Sequence, residues 1–281
     1  MHTRKIAIDT HVHTEGTSPY MKGDSNLKPY HEAAKNKGLA GVAITDHFHY
    51  FWQDHKYVRL QREHIEQANY KDPVMLLGVE QTILGRKGHV HFRKSHLKYL
   101  DFMNISVHWI TGLNGSKMNG AGVMKIVEKI LAGRETGWYL VSTYFNYINN
   151  ALYNEKIKGI PKIASHVFYG FIERGFFHPK VLNYYDVLFE NLKDTNSFFE
   201  VNGKALDAIY DQETFPVNHP DLLEKEEFLS GLANIAKTKG VKLATGSDAH
   251  RLGDIGKFSE KFLERNGIGR DLIVGLEDLT S

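Results

Sequence analysis

Seven short apolar runs, spread along the 281-residue chain, each end on or enclose a side chain able to hold a divalent cation. His11-Val12-His13 follows Lys5-Ile6-Ala7-Ile8, Asp46-His47 follows Val42-Ala43-Ile44-Thr45, and Glu80 follows Met75-Leu76-Leu77-Gly78-Val79. Later, His108 follows Ile105-Ser106-Val107 and His166 follows Ile163-Ala164-Ser165. Glu200 lies inside Phe198-Phe199-Glu200-Val201, and Asp248-Ala249-His250 follows Leu243-Ala244-Thr245-Gly246. Imidazole and carboxylate groups suit Zn, Mn or Fe, and clustered ions of this kind activate water for hydrolysis. One such coincidence means little. Seven in succession imply that the ends of buried strands converge on one polar pocket, where parallel barrels keep their chemistry.

Spacing sharpens the reading at three places. In an extended strand end, residues two apart point the same way, so His11 and His13 can grip one ion. Asp248 and His250 are also two apart, just past Leu243-Ala244-Thr245, and can serve two neighbouring ions; the plainer alternative is a strand-to-helix turn capped by Ser247 or Asp248. Glu80 offers two oxygens at a strand end and can bridge two cations that would otherwise repel.

The elements that must position these residues alternate. Short, β-branched, mostly apolar strands have the character of buried parallel strands. Between them lie helix-like segments: Pro29–Lys37, Tyr57–Asn69, Met118–Ala132, Pro179–Leu192, Glu224–Lys239 and Phe258–Asn266. Proline opens the first and Gly38 stops it, the usual asymmetry of helix ends. The apolar stretch Trp138–Tyr153 contains Asn146, Asn149 and Asn150 and falls short of the ~20 residues of a spanning helix, so it reads as a buried helix. The alternation predicts an α/β fold, with residues 1–281 as a single domain. No signal-peptide core follows the N-terminus, so a cytoplasmic address is expected, with no membrane partner. Cysteine is absent, which excludes disulfides, thiolate metal sites and a cysteine nucleophile. The 35 basic and 33 acidic side chains balance, which argues against a nucleic-acid partner and leaves a small anionic substrate open. Oligomeric state cannot be read from these features.

DTHVHTEG, AITDHFHY, LLGVEQ, ISVHW, IASHVF, FFEVNG and ATGSDAHRLGDIG together resemble the PHP (polymerase and histidinol phosphatase) superfamily, in the right order over about residues 6 to 256. Ser106-Val107-His108-Trp109 looks like the histidinol-phosphate phosphatase-like branch. The resemblance implies a distorted (β/α)7 TIM-like barrel that holds two or three divalent metal ions and cleaves phosphate esters. It implies His11, His13, Glu80 and Asp248 on a first metal, Glu80, His108 and His166 on a second, and His47 and His250 on a third. The family's further histidine after the first pair is missing here, and Asp24 is the expected replacement, with Glu15 second. Val167 stands where the family more often has proline. Glu200 is implied to support the ligands from behind.

Outside that set, His49 touches substrate or packs in an aromatic loop at the pocket rim, and His89-Val90-His91 follows the turn Gly85-Arg86-Lys87-Gly88 in a hairpin from which His91 could reach substrate. Arg251, Arg174, Lys204 and Arg86 are candidate phosphate contacts, since a guanidinium fork matches phosphoryl oxygens. The expected reaction is metal-assisted hydrolysis of a small phosphomonoester, histidinol phosphate-like or a nucleotide, with Glu80, His47 and His250 nearest the chemistry. An amidohydrolase would share the paired histidines and terminal aspartate, but commonly bridges its metals with a modified strand-end lysine. A nuclease or phosphodiesterase of the same superfamily is the other alternative.

Overall fold

In a computed structural model, residues 7–14, 26–49, 55–108, 120–203, 206 and 219–280 are described. Asp24, Glu15 and Lys204 lie outside them. The strands are β1 (Ile8–Val12), β2 (Gly41–Ile44), β3 (His47–Phe48), β4 (Val74–Leu77), β5 (Glu80–Thr82), β6 (Met103–Ser106), β7 (Lys162–Ala164), β8 (Phe198–Asn202) and β9 (Leu243–Gly246). Two parallel sheets form, ordered β1-β2-β4 and β3-β5-β6-β7-β8-β9. β2 runs on into β3 and β4 into β5, and backbone bonds continue across both joints, from Gly78 N to the Ile44 carbonyl (2.8 Å) and from Glu80 N to the Asp46 carbonyl (3.0 Å). The nine strands therefore make seven staves of a distorted barrel, matching the expected (β/α)7 architecture. Among the described residues no ladder closes the ring between β1 and β9. That seam is stitched instead by Thr10 Oγ1 to the Thr245 carbonyl (2.9 Å), Thr245 Oγ1 to the Ile8 carbonyl (2.7 Å), and the single bridge Val12–Ala249.

Helices cover the outside: α1 (Lys28–Asn36), α2 (His55–Ala68), α3 (Gly120–Leu131), α4 (Glu135–Leu152), α5 (Tyr169–Ile172), α6 (Pro179–Asp194), α7 (Lys225–Lys239), α8 (Glu260–Arg265) and α9 (Leu276–Leu279). Their ends follow local chemistry. Pro179 opens α6 while the His178 ring accepts the Lys180 amide, Ser259 Oγ caps α8, and Gly240 takes the left-handed conformation that ends α7. Trp138–Tyr153 falls on α4, whose inner face is buried as expected. Among the described residues no helix is long and apolar enough to cross a membrane. The β5-to-β6 connection has no α-helix; Gly85 and Gly88, both at positive φ, turn it into a hairpin closed by Leu84 and His89.

Strand alternation sorts side chains into two cores. Outward residues such as Val42, Ile44, Leu77, Ile105 and Phe199 join the large cluster beneath the helices. Inward residues Ile8, Ala43, Leu76, Phe102, Ile163, Phe198 and Ala244 form a separate apolar floor, which Val274 and Leu279 plug from below. Two residues higher on each stave come Thr45, Gly78, Asn104, Ser165, Glu200 and Gly246, a small and polar middle layer. Asn104 reaches across it, donating through Nδ2 to the Thr10 carbonyl at 3.0 Å. The same parity falls on His47, Glu80 and Asp248 at the next inward positions, and on His108 one step higher, above Ser106.

Candidate metal centre

Alternation from the floor gives inward parity to four of the eight described ligand candidates, and local breaks in the strands turn His11, His13 and His166. Ile8 belongs to the inner cluster and Val12 to the outer one, although an even spacing would put both on the same face. The β1–β2 register shifts between Asp9 and Val12. This bulge re-aims the strand end, so that His11 and His13 turn inward. His166 has the parity of outward Ala164, but its φ of 35° reverses the chain direction there. Asp248 is likewise at positive φ, 51°. Both are non-glycine residues in the left-handed region, which is the strain expected where side chains are held for function.

Glu80 is the hub. Its Oε1 lies 2.6 Å from His166 Nε2 and 3.2 Å from His108 Nε2. Its Oε2 lies 3.1 Å from His47 Nε2 and 3.6 Å from the Nε2 atoms of both His11 and His13. Asp248 Oδ1 approaches His13 Nε2 at 3.3 Å and His11 Nε2 at 3.9 Å. His13 stacks between His47 and His250, with ring centroids 4.2 and 4.4 Å away. His250 Nδ1 lies 3.0 Å from the Asp248 carbonyl, which can only accept, so Nδ1 carries the proton and Nε2 keeps its lone pair.

Among the described residues, these side chains form four groups of three that could each hold a metal ion: His11, Glu80 and His166; His11, His13 and Asp248; His47, Glu80 and His108; and His13, His47 and His250. The donor set fits a cation. His11 Nε2 and Glu80 Oε2 are buried, and neither has a hydrogen-bond partner among the described residues. Buried polar atoms are rarely left in that state, and a divalent ion accepts the lone pairs of both.

Electrostatics agree. Burial would raise the Glu80 pKa, but the surrounding imidazoles, His108 and His47 foremost, hold it well below the usual carboxylate range. Burial would lower His11 and His166; Glu200 chiefly for His11, and Glu80 for His166, outweigh it and raise both. His47 is pushed well below the usual imidazole range by burial and then by His13.

Glu200 lies beneath the candidate ligands. One oxygen accepts from His11 Nδ1 at 2.6 Å, the other from the His166 amide at 2.5 Å and Asn202 Nδ2 at 3.2 Å. Asp9, buried, accepts from the Ser247 amide (3.0 Å), Ser247 Oγ (2.6 Å) and the Gly256 amide (2.7 Å), tying β1 to the loop that carries Asp248 and His250. Asp46 accepts from the Thr14 amide, Thr14 Oγ1 and Gln61 Nε2. Thr82 Oγ1 bonds both His108 Nδ1 (2.8 Å) and His49 Nδ1. Sequence reasoning gave Asp9 and Thr82 no role, and singled out Asp46 only beside His47 at a strand end. For Asp9 the available signal was a charged residue directly after the apolar run Ile6-Ala7-Ile8.

The other candidates are scattered. His49 is buried against His47 and His108. His91 is partly buried beyond the hairpin, while His89 is exposed. Arg86 lies over the Tyr139 ring, 4.8 Å from its centroid. Arg251 is exposed; Arg174 is partly buried, with an Nε that has no partner among the described residues.

A family model described as PHP domain matches residues 9–208. Two curated relatives, each named "Probable phosphatase", come from Thermoanaerobacter sp. (strain X514) and Thermoanaerobacter pseudethanolicus (strain ATCC 33223 / 39E). Each is 24% identical over 289 residues, covering 97% of this chain and 91% of the relative. Among solved structures, a histidinol phosphate phosphatase from Lactococcus lactis, complexed with zinc, L-histidinol and phosphate, superposes with a TM-score of 0.56 at 12% identity over 94% of both chains.

Proposed function

This chain belongs to the PHP domain family, and from that premise we propose that it is a metal-dependent phosphatase acting on a small phosphomonoester. The observation that carries the proposal is Glu80, a fully buried carboxylate whose two oxygens each face a different set of imidazoles. In this reading His11, His13 and Asp248 hold one ion with a Glu80 oxygen, and His108 and His166 hold a second with the other. His47 and His250 take a third, completed by Asp24 or, failing that, Glu15. Bound Zn, Mn or Fe would supply a water activated for attack on phosphorus and neutralise the phosphoryl oxygens.

The protein's own groups do the positioning. Glu200 locks the His11 ring and the His166 backbone in one contact set, so two ligands from β1 and β7 move together. Asp9 holds the Asp248–His250 loop against β1. His250 Nε2 keeps its lone pair for a ligand bond or a proton. Arg251 and Arg174 are the proposed phosphate contacts, with His91 nearest the outer part of the substrate. The names of the relatives support hydrolysis of a phosphate ester, and the Lactococcus enzyme makes an amino-alcohol phosphate the first substrate to try.

The test is a phosphate-release screen over sugar, amino-alcohol and nucleotide monoesters, run on metal-supplemented protein alongside elemental analysis. The expected outcome is about two to three ions per chain and turnover of at least one monoester class. Glu80→Gln should lower both metal content and turnover, the latter by more than about 100-fold, because a neutral amide cannot offset two cations. Activity confined to phosphodiesters would replace the phosphatase with a nuclease or phosphodiesterase. Activity confined to amides would replace it with an amidohydrolase.

A further inference from the structure

We infer that Thr82 and His49 are positioning residues that set the tautomer of His108, an inference resting on the reading of His108 as a metal ligand. Three observations carry it. His108 turns Nε2 toward Glu80 Oε1 at 3.2 Å and Nδ1 toward Thr82 Oγ1 at 2.8 Å. The same hydroxyl bonds His49 Nδ1, and Thr82 and His49 are both buried, with relative exposures of 0% and 2%. The His49 ring stands edge-on to His108, 87° between planes and 5.2 Å between centroids, so it is packed behind the ligand and away from solvent.

The proton count fixes the direction of the chain. A hydroxyl has one proton to give. For Nε2 of His108 to offer its lone pair to a cation, Nδ1 must carry the proton and donate it to Thr82 Oγ1. Thr82 then spends its own proton on His49 Nδ1, and His49 carries its remaining proton on Nε2. Each imidazole stays neutral and every bond has one donor and one acceptor. Ser106 Oγ, at 3.4 Å from His108 Nδ1, is the weaker neighbour and cannot replace Thr82.

The relay differs from the support under His11. There Nδ1 meets the Glu200 carboxylate, a charged acceptor that makes the ring a stronger ligand; here it meets a neutral hydroxyl backed by a second imidazole. By this contact alone, His108 is the weaker donor of the two rings.

The test compares Thr82→Val, Thr82→Ser, His49→Phe and Ser106→Ala in zinc-supplemented protein, with p-nitrophenyl phosphate as the activity probe. Loss of an outer hydrogen bond to a ligating histidine typically costs about 10- to 100-fold in metal affinity or activity. Thr82→Val should show that loss in the affinity of one zinc and in kcat, with KM within about twofold, and Thr82→Ser should restore both. His49→Phe keeps the ring packing but removes the acceptor, so the double variant with Thr82→Val should be no worse than Thr82→Val alone. Ser106→Ala should leave both readouts near wild type. Long-range 15N–1H spectra of zinc-loaded wild-type protein should place the His108 proton on Nδ1 and the His49 proton on Nε2. Thr82→Val with unchanged zinc affinity, or a His108 proton on Nε2 in the loaded protein, overturns the inference. Protein that binds zinc and shows these tautomers but hydrolyses no phosphate ester sinks the phosphatase and leaves the relay standing.

Discussion

Asp248 offers its carboxylate to His13 from a backbone with φ of 51°, where a glycine would be at ease and an aspartate is not. Replacing it by glycine relieves strain of about 1 kcal/mol or more, while the added freedom of the unfolded chain costs about 0.5–1 kcal/mol. The two nearly cancel. Asp248→Gly should therefore melt within a few degrees of wild type in metal-free form while losing metal and turnover, a separation that thermal melts and elemental analysis can read; a large loss of stability would show that the carboxylate is structural. Protons should also move when metal binds. His11 and His166 have pKa values raised above the ordinary 6.5, chiefly by Glu200 and by Glu80, so in the metal-free protein these rings keep their protons to higher pH than a free imidazole and must give them up to ligate. Metal loading at pH 7 should release protons, and apparent affinity should fall as pH drops through the raised range; calorimetry in two buffers of different ionisation enthalpy measures the number. Proton uptake would contradict the ligand assignment.

At the scale of single elements, each stave presents its chemistry through a short departure from regular strand geometry: the bulge in β1, and the left-handed residues after β7 and β9. The middle layer beneath them must be small to leave room for Glu200. A Cβ on Gly246 would lie 2.2 Å from Glu200 Oε1 and 3.0 Å from the His11 Cβ. Gly246→Ala must push the carboxylate off the His11 ring, and overpacking of this kind costs about 1–3 kcal/mol. The expected result is a lower melting temperature together with a fall in metal content, whereas Gly253→Ala, with open space around it, should change neither. Retained metal content in Gly246→Ala would mean that Glu200 is not what orients His11.

The whole ring closes at a seam held by side chains more than by a ladder, with Thr10 and Thr245 bonding across β1 and β9. Removing one buried hydrogen-bond partner costs about 1–3 kcal/mol. Thr245→Val should lower stability by that amount in denaturant unfolding, yet leave kcat near wild type, because the two threonines lie below the ligand layer that the Val12–Ala249 bridge crosses; a collapse of kcat at full folding would place Thr245 inside the catalytic machinery. Much of this molecule is legible in one dimension. Short apolar runs can be buried on both faces only inside a parallel sheet covered by helices, so the staves, most helices and the strand-end positions of His11, His13, His47, Glu80, His108, His166, Asp248 and His250 follow from pattern and spacing. What the pattern could not supply is anything made by contacts between distant residues. The bulge that re-aims His11 and His13 depends on how β1 registers with β2. Thr82 and Asp9 are ordinary strand residues until the fold sets His49 and His108 against one and Ser247 and Gly256 against the other. Ligand types and their order are local properties of the chain; which carboxylate oxygen faces which imidazole is decided only when seven staves close around Glu80.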